Sequence, residues 1–165
     1  MSHLVLVMGV SGAGKSTVGT LLAERLGVPF ADADSFHPPA NIAKMSRGEP
    51  LTDEDRWPWL DAIGAWLDGH AAAGGVATCS ALKQAYRDRL LLTRPAVRLI
   101  HLTGDPELIE ARQAARPGHF MPPSLMASKF AALEPPVPGG ATITLSVVPP
   151  PEAIVEEALA ALAGR

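Results

Sequence analysis

Gly9-Val10-Ser11-Gly12-Ala13-Gly14-Lys15-Ser16 reproduces the spacing G-x-x-x-x-G-K-[ST]. In that pattern glycines let backbone amides close on a polyphosphate, the lysine supplies a cation for the β- and γ-phosphates, and the hydroxyl supplies an oxygen ligand for Mg²⁺. The context agrees. The apolar run Leu4 to Met8 reads as a strand entering the loop, and Val18, Leu21, Leu22 and Leu26 recur at helical spacing behind it, with Gly27 where a helix would stop. A loop between strand and helix aims the helix N-terminus at the same anion. The residues expected around the nucleotide are therefore Gly9, Val10, Ser11, Gly12, Ala13, Gly14, Lys15, Ser16 and Thr17, with Lys15 catalytic and Ser16 on the metal. ATP and Mg²⁺ are the expected cofactors. The loop alone does not separate kinases from GTPases or motor ATPases.

Acidic chemistry comes next. Asp32 and Asp34 follow a short apolar stretch, where the end of a strand in an open parallel sheet faces the ligand crevice; in extended chain, alternate residues point the same way. Phosphorylating an alcohol needs one carboxylate for Mg²⁺ or its waters and another to accept the hydroxyl proton. Asp32 is assigned to the metal and Asp34 to the hydroxyl. The same pair also fits an Asp-rich turn or an N-cap for a helix at Pro38.

Cations for an anionic acceptor are available at Arg56, just after the helix-start signal Thr52-Asp53-Glu54-Asp55, and at Lys83 and Arg87, four residues apart and so expected on one helix face. Surface ion pairing for Arg56 and a solvated face for Lys83 and Arg87 are the alternatives. Arg112 and Arg116 lie one turn apart before the Gly- and Pro-rich residues 116–123, a composition suited to a lid; Arg116 is assigned to the transferring phosphate and Arg112 to the nucleotide side. Favourable charges at a helix C-terminus are the alternative. His119 within that segment would contact substrate or cap the lid.

These residues need elements to hold them. Strands are predicted at Leu4 to Met8, Pro29 to Ala31, Gly75 to Cys79, Val97 to Leu102 and Thr142 to Val148, each of the first four followed by a helical pattern, and a closing amphipathic helix carries Ile154, Val155, Ala158, Leu159 and Leu162. Alternation of this kind argues for an α/β fold with a parallel sheet. Residues 35–73 hold two helical patterns, Pro38 to Arg47 and Asp53 to Ala72, more than a simple crossover needs, and read as an acceptor-binding insertion. The Trp57, Trp59, Leu60, Ile63, Trp66 and Leu67 set reads as packing.

A chain of 165 residues is expected to make a single domain. Net charge of only -3 with no basic run argues against nucleic acid as a partner, and no stretch approaches the roughly 20 apolar residues of a membrane span. Cys79 is the sole cysteine, so no intrachain disulfide can form, and a reducing cytoplasm is the expected compartment.

The run from Asp32-Ala33-Asp34-Ser35-Phe36-His37 through Asn41, Lys44, Gly48 and Asp53-Glu54-Asp55-Arg56-Trp57-Pro58-Trp59-Leu60 resembles the signature of gluconokinases of the small P-loop type. Cys79-Ser80-Ala81-Leu82-Lys83, Tyr86-Arg87-Asp88, Gly118-His119-Phe120 and Leu133-Glu134-Pro135 extend the resemblance. It implies a three-layer P-loop kinase fold with a parallel five-stranded sheet, a helical substrate-binding insertion and a lid. It implies transfer of the ATP γ-phosphoryl group to the 6-hydroxyl of D-gluconate, with His37 and Lys44 among the groups that bind its hydroxyls, and it implies a homodimer. Another small polyol acid such as shikimate remains open as acceptor. A nucleotide-dependent switch is the rival from another class, but the chain has no [NT]-K-x-D guanine-recognition string.

Overall fold

The computed structural model describes residues 3–9, 14–49, 51–80, 83–105, 107–109, 111, 134 and 142–163. Five strands are described: β1 (Leu4–Met8), β2 (Phe30–Asp32), β3 (Gly75–Thr78), β4 (Val97–Thr103) and β5 (Thr142–Ser146). They form one wholly parallel sheet in the order β2-β3-β1-β4-β5, so every C-terminal strand end lies along one edge. Among the described residues the helices include α1 (Lys15–Leu26), α2 (Pro39–Ser46), α3 (Asp53–Gly69), α4 (Gln84–Leu91) and α5 (Pro151–Ala163), with a 3-10 turn at Ala33–Phe36.

Central β1 is buried along its whole length, as a strand covered on both faces must be. Val5 and Val7 point into one core with Val18 and Leu22 of α1 and Ile154, Val155 and Ala158 of α5. Leu4, Leu6 and Met8 point into a second core with Trp59, Leu60, Ile63 and Leu67 of α3 and Tyr86 and Leu90 of α4. Alternation along one strand thus builds the three layers. The tryptophan-rich set packs as expected. It also gives α3 two duties within the 35–73 segment: its inner face covers the sheet as a crossover helix, while its N-terminal turn meets α2.

The start of α3 is written locally. Thr52 accepts from the Asp55 amide and Asp55 accepts from the Thr52 amide, a reciprocal capping box, and three acids in the first turn favour the positive end of the helix dipole. Its end differs from expectation. The helix stops at Gly69 rather than Ala72, and residues 70–73 form a turn that delivers Gly74 at φ 95°, where an added Cβ would lie 2.8 Å from the His3 carbonyl. Alanine-rich sequence favours helix locally, but the chain has to turn there to enter β3 beside β1.

Strand β2 runs one residue later than predicted, and this changes the reading of the acidic pair. Asp32 is the last ladder residue, opposite Thr78, and the chain then leaves extended conformation at Ala33. The premise that Asp32 and Asp34 share a face by strand alternation is therefore corrected. The cause is competition for the backbone: Ala33 N–H donates to Thr78 Oγ1, Ala33 C=O accepts from Trp59 Nε1 at 2.8 Å, and Ser35 Oγ donates to the Asp32 carbonyl.

Candidate active site

The site begins where β1 ends. Gly9 is buried, residues 10–13 lie outside the described residues, and Gly14 resumes the chain as the N-cap of α1 at φ 91°, ψ 21°. A Cβ on Gly14 would meet nothing within 4 Å, so the left-handed backbone and not crowding is what calls for glycine there. Lys15 and Ser16 form the first turn of α1, which carries no acidic residue and so leaves the helix N-terminus positive for an anion. Thr17 follows on the exposed side.

Ser16 Oγ donates to Asp32 Oδ2 at 2.7 Å, joining the loop to the end of β2. Thr78 Oγ1 donates to the other carboxylate oxygen at 3.4 Å from the adjacent strand. Hydroxyl and carboxylate oxygens fit Mg²⁺, and two protein oxygens fit it better than a full cage, because Mg²⁺ normally keeps its remaining positions for phosphates and water. Among the described residues no cluster of three or more His, Cys, Asp or Glu could hold a metal.

Asp34 stands in the 3-10 turn immediately beyond, and its side chain lies outside what the structure describes. His37 follows and stacks on Trp59, with ring centroids 4.3 Å apart and an interplanar angle of 11°. Asn41 in α2 is buried and reaches both His37 Nδ1, at 3.3 Å, and the Asp55 carbonyl, at 2.9 Å. Lys44 donates to Asp55 Oδ2 at 2.7 Å, tying α2 to the capping box of α3. This lysine bond, followed by those from Thr52, holds the Asp55 carboxyl below its ordinary 3.8, at about 2. A depressed carboxylate stabilises the fold above its unfolded value and stops doing so as pH falls through its folded one. The difference in denaturation midpoint between wild type and Asp55→Asn should therefore be full above about pH 4 and fade toward pH 2. A difference that persists unchanged at pH 2 would show that charge at Asp55 is not what matters.

Arg56 and Lys83 converge on Tyr86. Arg56 Nη1 donates to the Tyr86 hydroxyl at 2.9 Å and to the Leu51 carbonyl at 2.7 Å, with its guanidinium 5.1 Å from the ring centroid. Lys83 Nζ lies 5.8 Å from the same centroid and 3.8 Å from Asp53 Oδ1, which accepts the Tyr86 hydroxyl at 2.6 Å. Burial, aided by Asp53, pushes the Tyr86 hydroxyl up to about 12, so it stays a neutral donor. The Tyr86 bond is in turn the main cause holding Asp53 below the ordinary carboxylate value. The result is a compact group of two cations, one phenol and one carboxylate at the start of α3 and α4.

Lys83 and Arg87 do not share a helix face as their spacing suggested. Lys83 is the extended N-cap of α4 at φ -102°, ψ 149°, whereas Arg87 lies one turn inside and is only 1% exposed. Its guanidinium donates to Gln84 Oε1 and the Glu134 carbonyl, and burial lowers its pKa. Arg112, Arg116, His119 and the whole 116–123 segment lie outside the described residues. Residue types and spacing assign no place in the site to Asn41, Asp53, Thr78 or Tyr86. Tyr86 and Asn41 were visible only as members of polar motifs, and nothing in their spacing tells which partner each would meet.

The model of the shikimate kinase family matches residues 11–119. A gluconokinase from Gluconobacter oxydans strain 621H is 45% identical over 157 residues, 94% of this chain and 88% of that protein. The thermosensitive gluconokinase of Escherichia coli K12 is 46% identical, with 79% of this chain and 71% of the relative aligned. In three dimensions a gluconokinase from Sinorhizobium meliloti 1021 superposes with a TM-score of 0.90 at 47% identity, covering 98% of this chain and 91% of that one. A shikimate kinase from Aquifex aeolicus, at 20% identity and a TM-score of 0.62, shares the fold alone. With Ser16 bonded to Asp32 and the five-stranded order in place, likeness of this depth and span means that the chain belongs to the gluconokinase family of P-loop kinases, within the wider shikimate kinase-like fold.

Proposed function

We propose that this chain transfers the γ-phosphoryl group of ATP to the 6-hydroxyl of D-gluconate, giving 6-phospho-D-gluconate and ADP. The observation that carries the reading is the meeting of Ser16 and Asp32 at 2.7 Å beside the start of α1, within a chain 45% identical to a gluconokinase across 94% of its length. Arg56 and Lys83, gathered around Tyr86, are the cations for the acceptor carboxylate.

Mg²⁺, held by Ser16 Oγ and Asp32, would neutralise charge on the β- and γ-phosphates. Lys15 binds the same phosphates from the first turn of α1; Arg116 is assigned to the transferring phosphate and Arg112 to the nucleotide side. Asp34 accepts the proton as the 6-oxygen bonds to the γ-phosphorus and the bond from that phosphorus to the bridging oxygen of ADP breaks. His37 binds acceptor hydroxyls. Lys44 spends one ammonium donor on Asp55 and has two for acceptor oxygens. Arg87 is proposed to support the acceptor site from inside α4, through Gln84 and Glu134. The proposal includes action in the cytoplasm and, following the resemblance, assembly as a homodimer. Among the described residues no helix is long and apolar enough to cross a membrane.

An acceptor panel at saturating Mg·ATP tests the substrate. Gluconate should exceed shikimate, ribose and nucleoside monophosphates in kcat/KM by about 10²-fold or more, because buried polar groups reject analogues that leave them unpaired. Equal turnover of shikimate or a monophosphate would overturn the acceptor assignment.

A further inference from the structure

We infer that Asn41 locks the neutral His37 ring as the Nε2–H tautomer, so that Nε2 is a donor and not a proton-accepting base. The argument starts from a backbone carbonyl. Asp55 C=O can only accept, and it lies 2.9 Å from Asn41 Nδ2, so the amide NH₂ and not the amide oxygen faces this side. The same nitrogen lies 3.3 Å from His37 Nδ1. Its second hydrogen points there, and a proton on Nδ1 would set two donors against each other. In the neutral ring Nδ1 therefore accepts and Nε2 carries the hydrogen.

Several elements enforce this arrangement. His37 and Asn41 are four residues apart across the start of α2, where the Asn41 amide already bonds to the Pro38 carbonyl. Asn41 is buried, 4% exposed, so exchanging its partners for water is costly. The Asp55 carbonyl belongs to a residue whose amide and side chain are both held by the capping box of α3. The imidazole lies flat on Trp59, whose own Nε1–H is held by Ala33 C=O. Turning the ring over on that platform would put a carbon where Nδ1 now sits and lose the Asn41 bond.

The consequence concerns proton traffic, and only there does the inference rest on the gluconate kinase reading. A ring protonated at Nε2 can donate to a hydroxyl oxygen but has no lone pair on that nitrogen with which to take a proton. The proton released by the acceptor then has to reach a carboxylate, which is the role given to Asp34. Asn41 is in this sense a positioning residue acting through His37.

Long-range ¹H–¹⁵N correlation spectra of the full-length, histidine-labelled protein at a pH where His37 is neutral test the tautomer directly, with His37→Gln assigning the signals. The expected result is a pyridine-type Nδ1 and a pyrrole-type Nε2 for His37; the reverse pattern in the wild type would overturn the inference. Asn41→Leu should move both nitrogens toward averaged shifts and raise KM for gluconate about 10-fold while kcat changes far less. Unchanged shifts and unchanged KM in that variant would overturn the positioning role. Because the spectra need no substrate, failure of gluconate turnover in the wild type would strike the acceptor reading alone, and failure of the tautomer would leave that reading standing.

Discussion

Lys15→Ala should lower gluconate phosphorylation by about 10³-fold while the far-ultraviolet circular dichroism spectrum and thermal midpoint stay close to wild type. The asymmetry follows from where the residue stands. Lys15 opens α1, and alanine is the best helix former, so the first turn keeps its backbone geometry. Gly14 supplies the left-handed entry and Ser16 keeps its bond to Asp32, neither of which requires the ammonium group. What is removed is the charge proposed to bind the phosphates, and in phosphoryl transfer there is little covalent work for the protein beyond placing such charges. Turnover measured by ADP release should collapse in a folded protein. Wild-type turnover would show that the phosphates bind elsewhere, whereas loss of the circular dichroism signal would show that Lys15 is part of the fold.

A second large effect is expected from Asp34, set against Asp32. If Asp34 accepts the proton of the 6-hydroxyl, Asp34→Asn should keep Mg·ATP binding and lower kcat by about 10²-fold or more, with no recovery as Mg²⁺ is raised. Asp32→Asn should respond differently. Asp32 is the carboxylate at the end of β2 that holds Ser16 Oγ, so its loss should raise the Mg²⁺ concentration for half-maximal rate, and excess Mg²⁺ should restore part of the activity. The fold offers a reason for the division: Asp32 is fixed in the sheet opposite Thr78, while Asp34 lies past the point where the chain leaves it. Titrating Mg²⁺ against both variants decides the matter. Rescue of Asp34→Asn but not Asp32→Asn would reverse the roles, and an undiminished kcat in Asp34→Asn would remove that residue from catalysis.

Much of this protein is written in local sequence, because local forces are enough to write it. The phosphate loop needs only a buried strand, glycines that tolerate left-handed backbone and a helix start, and all of these lie within residues 4–26. The sheet could be read from five short apolar runs, and the start of α3 from Thr52 and Asp55, since a capping box closes within four residues. The strand order, by contrast, was decided by tertiary pairing: β1 lies between β3 and β4, which take up the hydrogen bonds of its two edges while helices cover its faces, and nothing in its own residues names those neighbours. The same limit applied to the site. Four-residue spacing put Lys83 and Arg87 on one face, but helix α4 begins only at Gln84, so Lys83 joins Arg56 at Tyr86 and Arg87 turns inside. Alternation put Asp32 and Asp34 side by side, but bonds from Thr78 and Trp59, 45 and 26 residues away, end the strand between them. Residue types and short spacings thus carry the chemistry a chain can do, whereas the partner of each side chain is settled by contacts distant in sequence, whose energies exist only once the layers have closed.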